Sequence, residues 1–412
     1  MTKSSADPAL AARIEAVFGT AAPMIRRFAL LAAGLMVFAF LANTAKMVIE
    51  VNAPGFDGQA IQIDFTAFWA GAKLALAGDA ASAFNVDLLR AAQQLPSDNS
   101  TGDILWLYPP GWHIIIMPLG LMPFSVAFIV YSSLVLAIFA LVFRPLAAPV
   151  PGGVALVLAA PAVLAIMNLG NNSLLWIAGL AAAITAMAQG RAVLAGLLIG
   201  LLTLKPQLGI LIPFALAFGG YWRTVLWSCI SAALIALLST AIMGLDYWRD
   251  FFAMLRFVSD LMKTDLVRFD LMMTWYAFAR FVGAGHALAF PLQLAFSAVS
   301  AAAVAWVWSR PTASLDIKAA TLFIVIPLAT PYAYHYEMAH SLAGALFLVR
   351  DGFGANRVER LWLLALWLGS VPGLALEGIM PTVTYAPPLL TATLALCILR
   401  AARPAMRQAQ IS

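Results

Sequence analysis

Charge is what this chain has least of. Acidic and basic side chains make up 10% of its 412 residues, against about 25% in a soluble domain. So little charge excludes an ordinary water-soluble fold, and the surplus apolar surface must face lipid. Cysteine is nearly absent. Cys229 and Cys397 each sit inside an apolar run, with the spacing of neither a disulfide framework nor a metal site, and read as small core residues. Strict apolar-polar alternation is missing, which excludes a membrane β-barrel. There is no Gly-rich phosphate loop, no nucleotide fold and no Ser-His-Asp arrangement, so a nucleotide-sugar donor on the cytoplasmic side is not expected. The net charge of +5 forms no basic stripe, so nucleic acid is not expected as a partner. Residues 1–27 lack the pattern of a cleavable signal.

What is present is a series of long apolar runs. Residues 28–49, 124–143 and 222–243 each suffice to cross about 30 Å of hydrocarbon as a helix. Arg26 and Arg27 precede the first run, which puts the N-terminus in the cytoplasm. The following loop carries seven acids (Glu50, Asp57, Asp64, Asp79, Asp87, Asp98, Asp103) against Lys73 and Arg90. That net excess of acid suits the outer side. Later cations fall at every second turn: Arg144, Arg191, Arg223, Arg310 with Lys318, Arg350 with Arg357 and Arg360, and Arg400 with Arg403. The expected architecture is an all-α polytopic membrane protein, one domain over 1–412, with about twelve membrane helices and both termini inside. The crossings are 28–49, 123–143, 151–168, 173–189, 192–204, 207–220, 224–243, 284–308, 319–331, 336–349, 361–377 and 386–400. The bacterial inner membrane is the expected location.

Several of these segments are too short to span, since a full crossing needs about 20 residues. Those meeting at Lys205-Pro206 and at Pro331 read as broken helices around a buried polar pocket, because irregular backbone at membrane depth must be covered by protein or water. The breaks point outward. The outer loops 50–122 and 244–283 hold helical patterns of their own. Phe65, Phe68, Trp69, Ala72 and Leu76 predict a short amphipathic helix on the membrane surface. Trp248, Phe251, Phe252, Leu255 and Val258 predict a second. No internal repeat is evident.

Four stretches carry polar chemistry. In "IDFTAFWAG", Asp64 is either a helix N-cap or a general base whose pKa rises beside Phe65, Phe68 and Trp69. In "WLYPPGWHIIIMPLGLMP", Pro109 and Pro110 start a helix rigidly. Trp106, Tyr108 and Trp112 either anchor it at the interface or stack on a lipid or sugar; His113 is ambiguous. In "LLTLKPQLG", Lys205 lies in an apolar run and needs a partner. That partner is an acid such as Glu337, which would be structural, or the phosphate of a lipid, which the outward break favours. "TPYAYHYEMAH" gathers Tyr332, Tyr334, His335, Tyr336, Glu337 and His340. Their spacing is wrong for a helical metal pair, and hydrogen bonding to a sugar or phosphate suits them better. Arg268 and Arg280, in the second outer loop, add positive charge or are simply solvated. The candidate substrate pocket comprises Tyr108, Trp69, Tyr332, Tyr334 and Glu337.

In order and spacing, "IDFTAFWAGAKLALAGD", "LYPPGWHIIIMPLGLMP", "NLGNNSLLW", "LKPQLGILIP" and "TPYAYHYEM" resemble the GT-C membrane glycosyltransferases. The similarity is closest to glycosyltransferase family 87, which includes polyprenol-phosphate-mannose-dependent mannosyltransferases. It covers residues 60–340. Asn171 stands where the family pattern leads one to expect glutamine. The resemblance implies an outward-facing site that takes a sugar, commonly mannose, from a polyprenyl-phosphate donor to a lipid or glycan acceptor, with no cofactor and no metal. By position it implies Asp64 as the base, Lys205 at the donor phosphate and His335 at the phosphate or sugar. Inversion at the anomeric centre fits a single base. The competing reading is a lipid or glycolipid transporter or flippase, because broken helices with a mid-depth charge also mark transporters. Against it stand the missing repeat symmetry and the structured outer loops.

Overall fold

The computed structural model describes residues 8–51, 63–93, 104–369, 371 and 380–403. Asp57, Asp98 and Asp103 of the acidic loop, and residues 370 and 372–377 of the expected crossing 361–377, lie outside them. Among the described residues the chain is helical, with no β-strand and one isolated bridge between Met272 and Tyr334. It is an all-α membrane protein. Five helical segments among the described residues are long and apolar enough to cross a bilayer: residues 9–49, Phe124–Ala147, Trp222–Met243, His286–Ser309 and Thr382–Ala402. They coincide with five of the expected crossings.

In chain order the first helices are α1 (Pro8–Phe18), α2 (Ala22–Val51), α3 (Asp64–Leu76), α4 (Val86–Ala92), α5 (Pro110–Ile116) and α6 (Phe124–Ala147). The middle of the chain forms α7 (Gly153–Leu158), α8 (Pro161–Leu169), α9 (Ser173–Ala188), α10 (Ala192–Leu201), α11 (Ile212–Phe218), α12 (Trp222–Met243) and α13 (Asp246–Leu261). Then come α14 (Trp275–Phe281), α15 (His286–Ser309), α16 (Leu315–Ala329), α17 (Ala339–Arg350), α18 (Arg357–Trp367) and α19 (Thr382–Ala402).

Burial sorts these helices into two kinds. On α2, the side chains of Leu30, Leu31, Leu35 and Phe38 are exposed, as are Leu234, Leu237 and Leu238 on α12. Apolar residues left outside in this way are the lipid-facing surface. By contrast, residues 317–328 of α16 and 339–349 of α17 are buried on every side, as expected for a helix that is apolar all round at the centre of a large protein. The expected crossing 151–168 is two helices, broken where Pro161 opens α8. Between α10 and α11 the chain passes through two 3-10 turns, Leu202–Leu204 and Pro206–Leu208, with Lys205 between them.

The expectation for residues 65–76 needs correction. The helix forms, but it does not lie on a surface: every residue from Phe65 to Ala72 is buried. The face opposite the aromatics is small rather than polar, made of Thr66, Ala67, Ala70 and Gly71. A small face lets other elements approach. A Cβ on Gly71 would stand 2.8 Å from the Trp106 ring. Across the same helix, a Cβ on Gly120 would stand 2.9 Å from the Ala72 backbone. The second expected helix is amphipathic as α13. Tyr247, Phe251 and Met254 are buried while Phe252 and Leu255 remain exposed.

Helices α10 and α12 cross at close range through Gly196 and Gly200, a small-xxx-small pair of the kind that joins membrane helices. A Cβ on Gly196 would lie 2.7 Å from the Thr224 carbonyl oxygen, and one on Gly200 would overlap the Ser231 side chain and stand 2.9 Å from the Ala232 nitrogen. Replacing Gly200 by valine therefore forces the helices apart. Overpacking of this kind costs about 1–3 kcal/mol. Gly200→Val should lower the unfolding temperature in detergent, whereas Gly34→Val on α2, where a Cβ meets nothing within 4 Å, should leave it nearly unchanged.

Candidate active site

The polar centre of the molecule is built where helices stop. Helix α8 ends at Gly170, whose φ of +62° places it in the left-handed region. Only glycine fits there without strain, and a Cβ would also strike Phe65 at 2.6 Å. The turn that follows presents Asn171, Asn172 and Ser173. The Asn171 side-chain oxygen accepts from the Ser173 backbone nitrogen at 2.8 Å, a local turn typical of asparagine. The same side chain donates from Nδ2 to Asp64 Oδ2 at 2.7 Å.

From the far side of the turn comes Lys205. Proline at 206 prevents α10 from continuing, and the break drops the lysine stem into the interior, where the residue is 5% exposed. Its ammonium donates to Ser173 Oγ at 2.7 Å, to Glu337 Oε1 at 2.7 Å and to Asn171 Oδ1 at 3.3 Å. Three donors thus meet three acceptors. Ser173 Oγ lies within reach of both Asn171 Oδ1 (2.7 Å) and Glu337 Oε1 (2.9 Å), and its single proton serves one of them at a time. Glu337, in the 3-10 turn His335–Met338, is buried, and its second oxygen lies 3.2 Å from His340 Nδ1. The Trp176 indole nitrogen donates to the Leu202 carbonyl at 3.0 Å, which fixes α9 against the break.

The result is a continuous chain, Asp64–Asn171–Ser173–Lys205–Glu337–His340, drawn from four separate stretches of sequence. Asp64 is the first helical residue of α3. The N-cap position belongs to Ile63, whose side chain makes no capping bond, so the cap reading of Asp64 does not hold. Its carboxyl is held above the usual carboxylate range, first by burial and also by Glu337; the hydrogen bond from Asn171 and the charge of Lys205 pull the other way. Around it stand tyrosines. Burial, with the charge of Asp64 contributing, keeps the phenols of Tyr108 and Tyr332 well above their ordinary value, so they remain protonated. Tyr108 Oη reaches Asn172 Oδ1 at 3.5 Å. The rings of Tyr334 and Tyr336 stack at 6.1 Å, and Lys205 Nζ lies 5.7 Å from the Tyr336 ring centre.

The other candidates are distributed as follows. The ring of His335 lies 5.5 Å from that of Tyr336. Arg268 is exposed and bidentate on Asp270, at 2.9 and 2.7 Å, and its charge reaches Tyr334. Its loop is tied to the tyrosine segment by the bridge between Met272 and Tyr334 and by the bond from Met273 N to the Ala333 carbonyl. Arg280 is occupied elsewhere. It pairs with Asp265 at 2.6 Å and donates to the carbonyls of Met262, Lys263 and Thr264, which braces the 262–265 turn. Trp69 faces away from Asp64: its indole donates to the Met122 carbonyl at 3.0 Å and packs on Phe124. Phe68, one turn on from Asp64, packs its ring 5.1 Å from Tyr108 instead. The sequence reading did not single out Ser173, and it left Asn171 without a role. The helix-stop signal Gly-Asn-Asn-Ser was visible, but its distant partners were not. His113 is buried and structural, with its ring nitrogens 2.7 Å from Tyr247 Oη and 2.9 Å from the Gly71 carbonyl.

A family model for glycosyltransferase family 87 matches residues 106–331, more than half of the chain. The chain belongs to glycosyltransferase family 87. It is therefore a membrane glycosyltransferase, and the matched segment runs from Trp106 through the Asn171–Ser173 turn and Lys205 to the start of the tyrosine segment. Asp64 precedes it and Glu337 follows it. No curated protein and no solved structure matches the chain.

The Lys205–Glu337 pair should behave as one unit. Removing one partner of a buried pair costs about 3–5 kcal/mol, because the other charge is left uncompensated. Lys205→Met and Glu337→Leu should each lower unfolding stability by about that amount. The double variant should lose less than the sum of the two, as measured by denaturant unfolding in detergent.

Proposed function

We propose that this family 87 enzyme transfers a sugar, mannose by the family resemblance, from a polyprenyl-phosphate donor to an acceptor hydroxyl on the outer face of the membrane. Asp64 is the base. It takes the proton of the acceptor hydroxyl, the freed oxygen attacks the anomeric carbon, and the carbon–oxygen bond to phosphate breaks with its electron pair leaving on the polyprenyl phosphate. The observation that carries this reading is the Asp64–Asn171 hydrogen bond at 2.7 Å. It holds one carboxylate among the tyrosines, joined through Asn171 to a buried ammonium.

Inversion is supported by the scarcity of carboxylates. The other acid of the cluster, Glu337, is paired with Lys205 at 2.7 Å. That leaves Asp64 as a lone base rather than one of two carboxyl groups working in turn. We assign the donor phosphate to Lys205, which yields its 3.3 Å contact with Asn171 most readily, together with His335 and Arg268 on the adjoining segments. Fixed cations help most where charge develops, here on the leaving phosphate. Arg280 supports the Arg268 loop. Tyr108, Tyr332, Tyr334 and Tyr336 supply hydroxyls and ring faces for the sugar. The outward orientation rests on the sign bias of the loops, and an inner-membrane location goes with it.

Membranes carrying the protein, given labelled polyprenyl-phosphate mannose and a glycolipid extract, should form a labelled glycosidic product. Movement of the donor lipid across the membrane without a new bond would instead favour the flippase reading. Asp64→Asn should fold normally and lose about 10²–10⁴ in turnover; retained turnover would remove Asp64 from the mechanism. Because the base works only when ionised and its pKa is raised, kcat/KM should fall on the acid side at a higher pH than an ordinary aspartate, near 3.9, would give.

A further inference from the structure

Beyond the C-terminal end of α3 there is a concavity, of about 580 Å³, between the 3-10 turn Ala80–Phe84, the start of α4 and the side of α13. Asp79, Ser82, Asn85 and Asp250 give it polar walls, and Phe84 and Phe257 give it aromatic ones. Phe257 is out of place by the logic of an amphipathic helix. The apolar stripe of α13 runs through Tyr247, Phe251 and Met254, which are buried. Phe257 instead shares a face with Asp250 and Ala253, at helical spacing, and is 49% exposed. The ring of Phe84 is fixed from behind, packed 4.8 Å from Tyr247.

The acids are partly committed. Asp79 Oδ2 accepts from Ser82 Oγ, and Asp250 Oδ1 accepts from Arg249 Nε at 3.1 Å. Each carboxylate keeps its other oxygen as an acceptor, and among the described residues no cation lines the cleft. The lining therefore offers an anion no partner. Carboxylate and amide acceptors beside exposed ring faces suit a neutral polyhydroxylated chain, whose hydroxyls donate and whose apolar faces lie on the rings.

The position adds to the chemistry. Asp64 opens α3 and Asp79 lies just beyond its end, so the helix rise separates the two by about 20 Å. From these observations we infer that this cleft is a subsite for the distal sugars of an extended neutral saccharide acceptor whose terminal hydroxyl is presented to Asp64. The inference rests on the glycosyl-transfer reading. It implies an enzyme that elongates an existing glycan rather than one that glycosylates a bare lipid.

The test is a binding measurement, independent of turnover. Full-length protein in nanodiscs is titrated with neutral linear oligosaccharides of the manno-, gluco- and galacto-series, from monosaccharide to hexasaccharide, and followed by saturation-transfer NMR. At least one series should bind more tightly as it lengthens. Phe257→Ala and Asp250→Asn should each weaken the longest member about tenfold, the scale of losing one anchoring contact, and leave the monosaccharide unchanged. Affinity that does not depend on length, undiminished wild-type affinity in both variants, or no binding in any series overturns the subsite. Asp64→Asn should bind the long oligosaccharide as the wild type does. Loss of transfer in Asp64→Asn with no length dependence would sink this inference alone; length-dependent binding with full transfer in Asp64→Asn would sink the assignment of the base alone.

Discussion

The buried ammonium of Lys205 organises the polar centre of this protein. Lys205 sits in a largely apolar interior, where an unpaired charge would not be tolerated. Three acceptors meet it: Ser173, Asn171 and Glu337. Each comes from a place where a helix has ended, because helix interiors have already spent their backbone polar groups and turns bring short polar side chains inward. The ion pair therefore fixes the α8–α9 turn, the break between α10 and α11, and the 3-10 turn before α17 relative to one another. Asp64 is attached to this knot through Asn171 alone, by the bond at 2.7 Å.

The short helices follow from that requirement. An α10 that ran on through residue 205 would carry the lysine along its flank instead of ending beneath the turn. Pro206 stops it, and Gly170 with its positive φ stops α8 opposite. Neither α9, α10 nor α11 reaches the length of α2 or α12, and the long helices on the outside meet the lipid. Glycines at 196 and 200 let α12 lie directly on α10.

Much of this was legible in the sequence. The five long helices stand out as apolar runs. Lys205-Pro206 stood out because charge followed by proline is costly in such a run, and Glu337 was one of the two partners considered for the lysine. The placement of α3 was not legible. Periodicity distinguishes a buried face from a wet one, and in this chain the face opposite Phe65, Phe68 and Trp69 is Thr, Ala and Gly, which pack against protein as readily as they face lipid. Asn171 and Ser173 were quoted in a motif but could not be given partners, because those partners are Asp64, 107 residues away, and Glu337, 164 away. Arg280 is the converse case. A lone arginine in an outer loop looks available, yet its carbonyl partners at 262–264 carry no side-chain signature that a sequence could reveal.

The charges of the knot bear on how the proposed reaction runs. Asp64 and Glu337 are two acids to one ammonium, so with Asp64 ionised the cluster is negative by one charge. A phosphate arriving beside Lys205 must compete with both carboxylates for it. In the proposed transfer step the acceptor proton would pass to Asp64 while the leaving phosphate gained a charge. The carboxylate next to the phosphate is thus neutralised as the phosphate becomes more anionic, and Lys205 is left with one rival fewer. A base joined to the phosphate-binding cation through a single asparagine makes proton removal and leaving-group stabilisation parts of the same electrostatic change. An acid placed in bulk water would be the weaker base and would give the phosphate nothing.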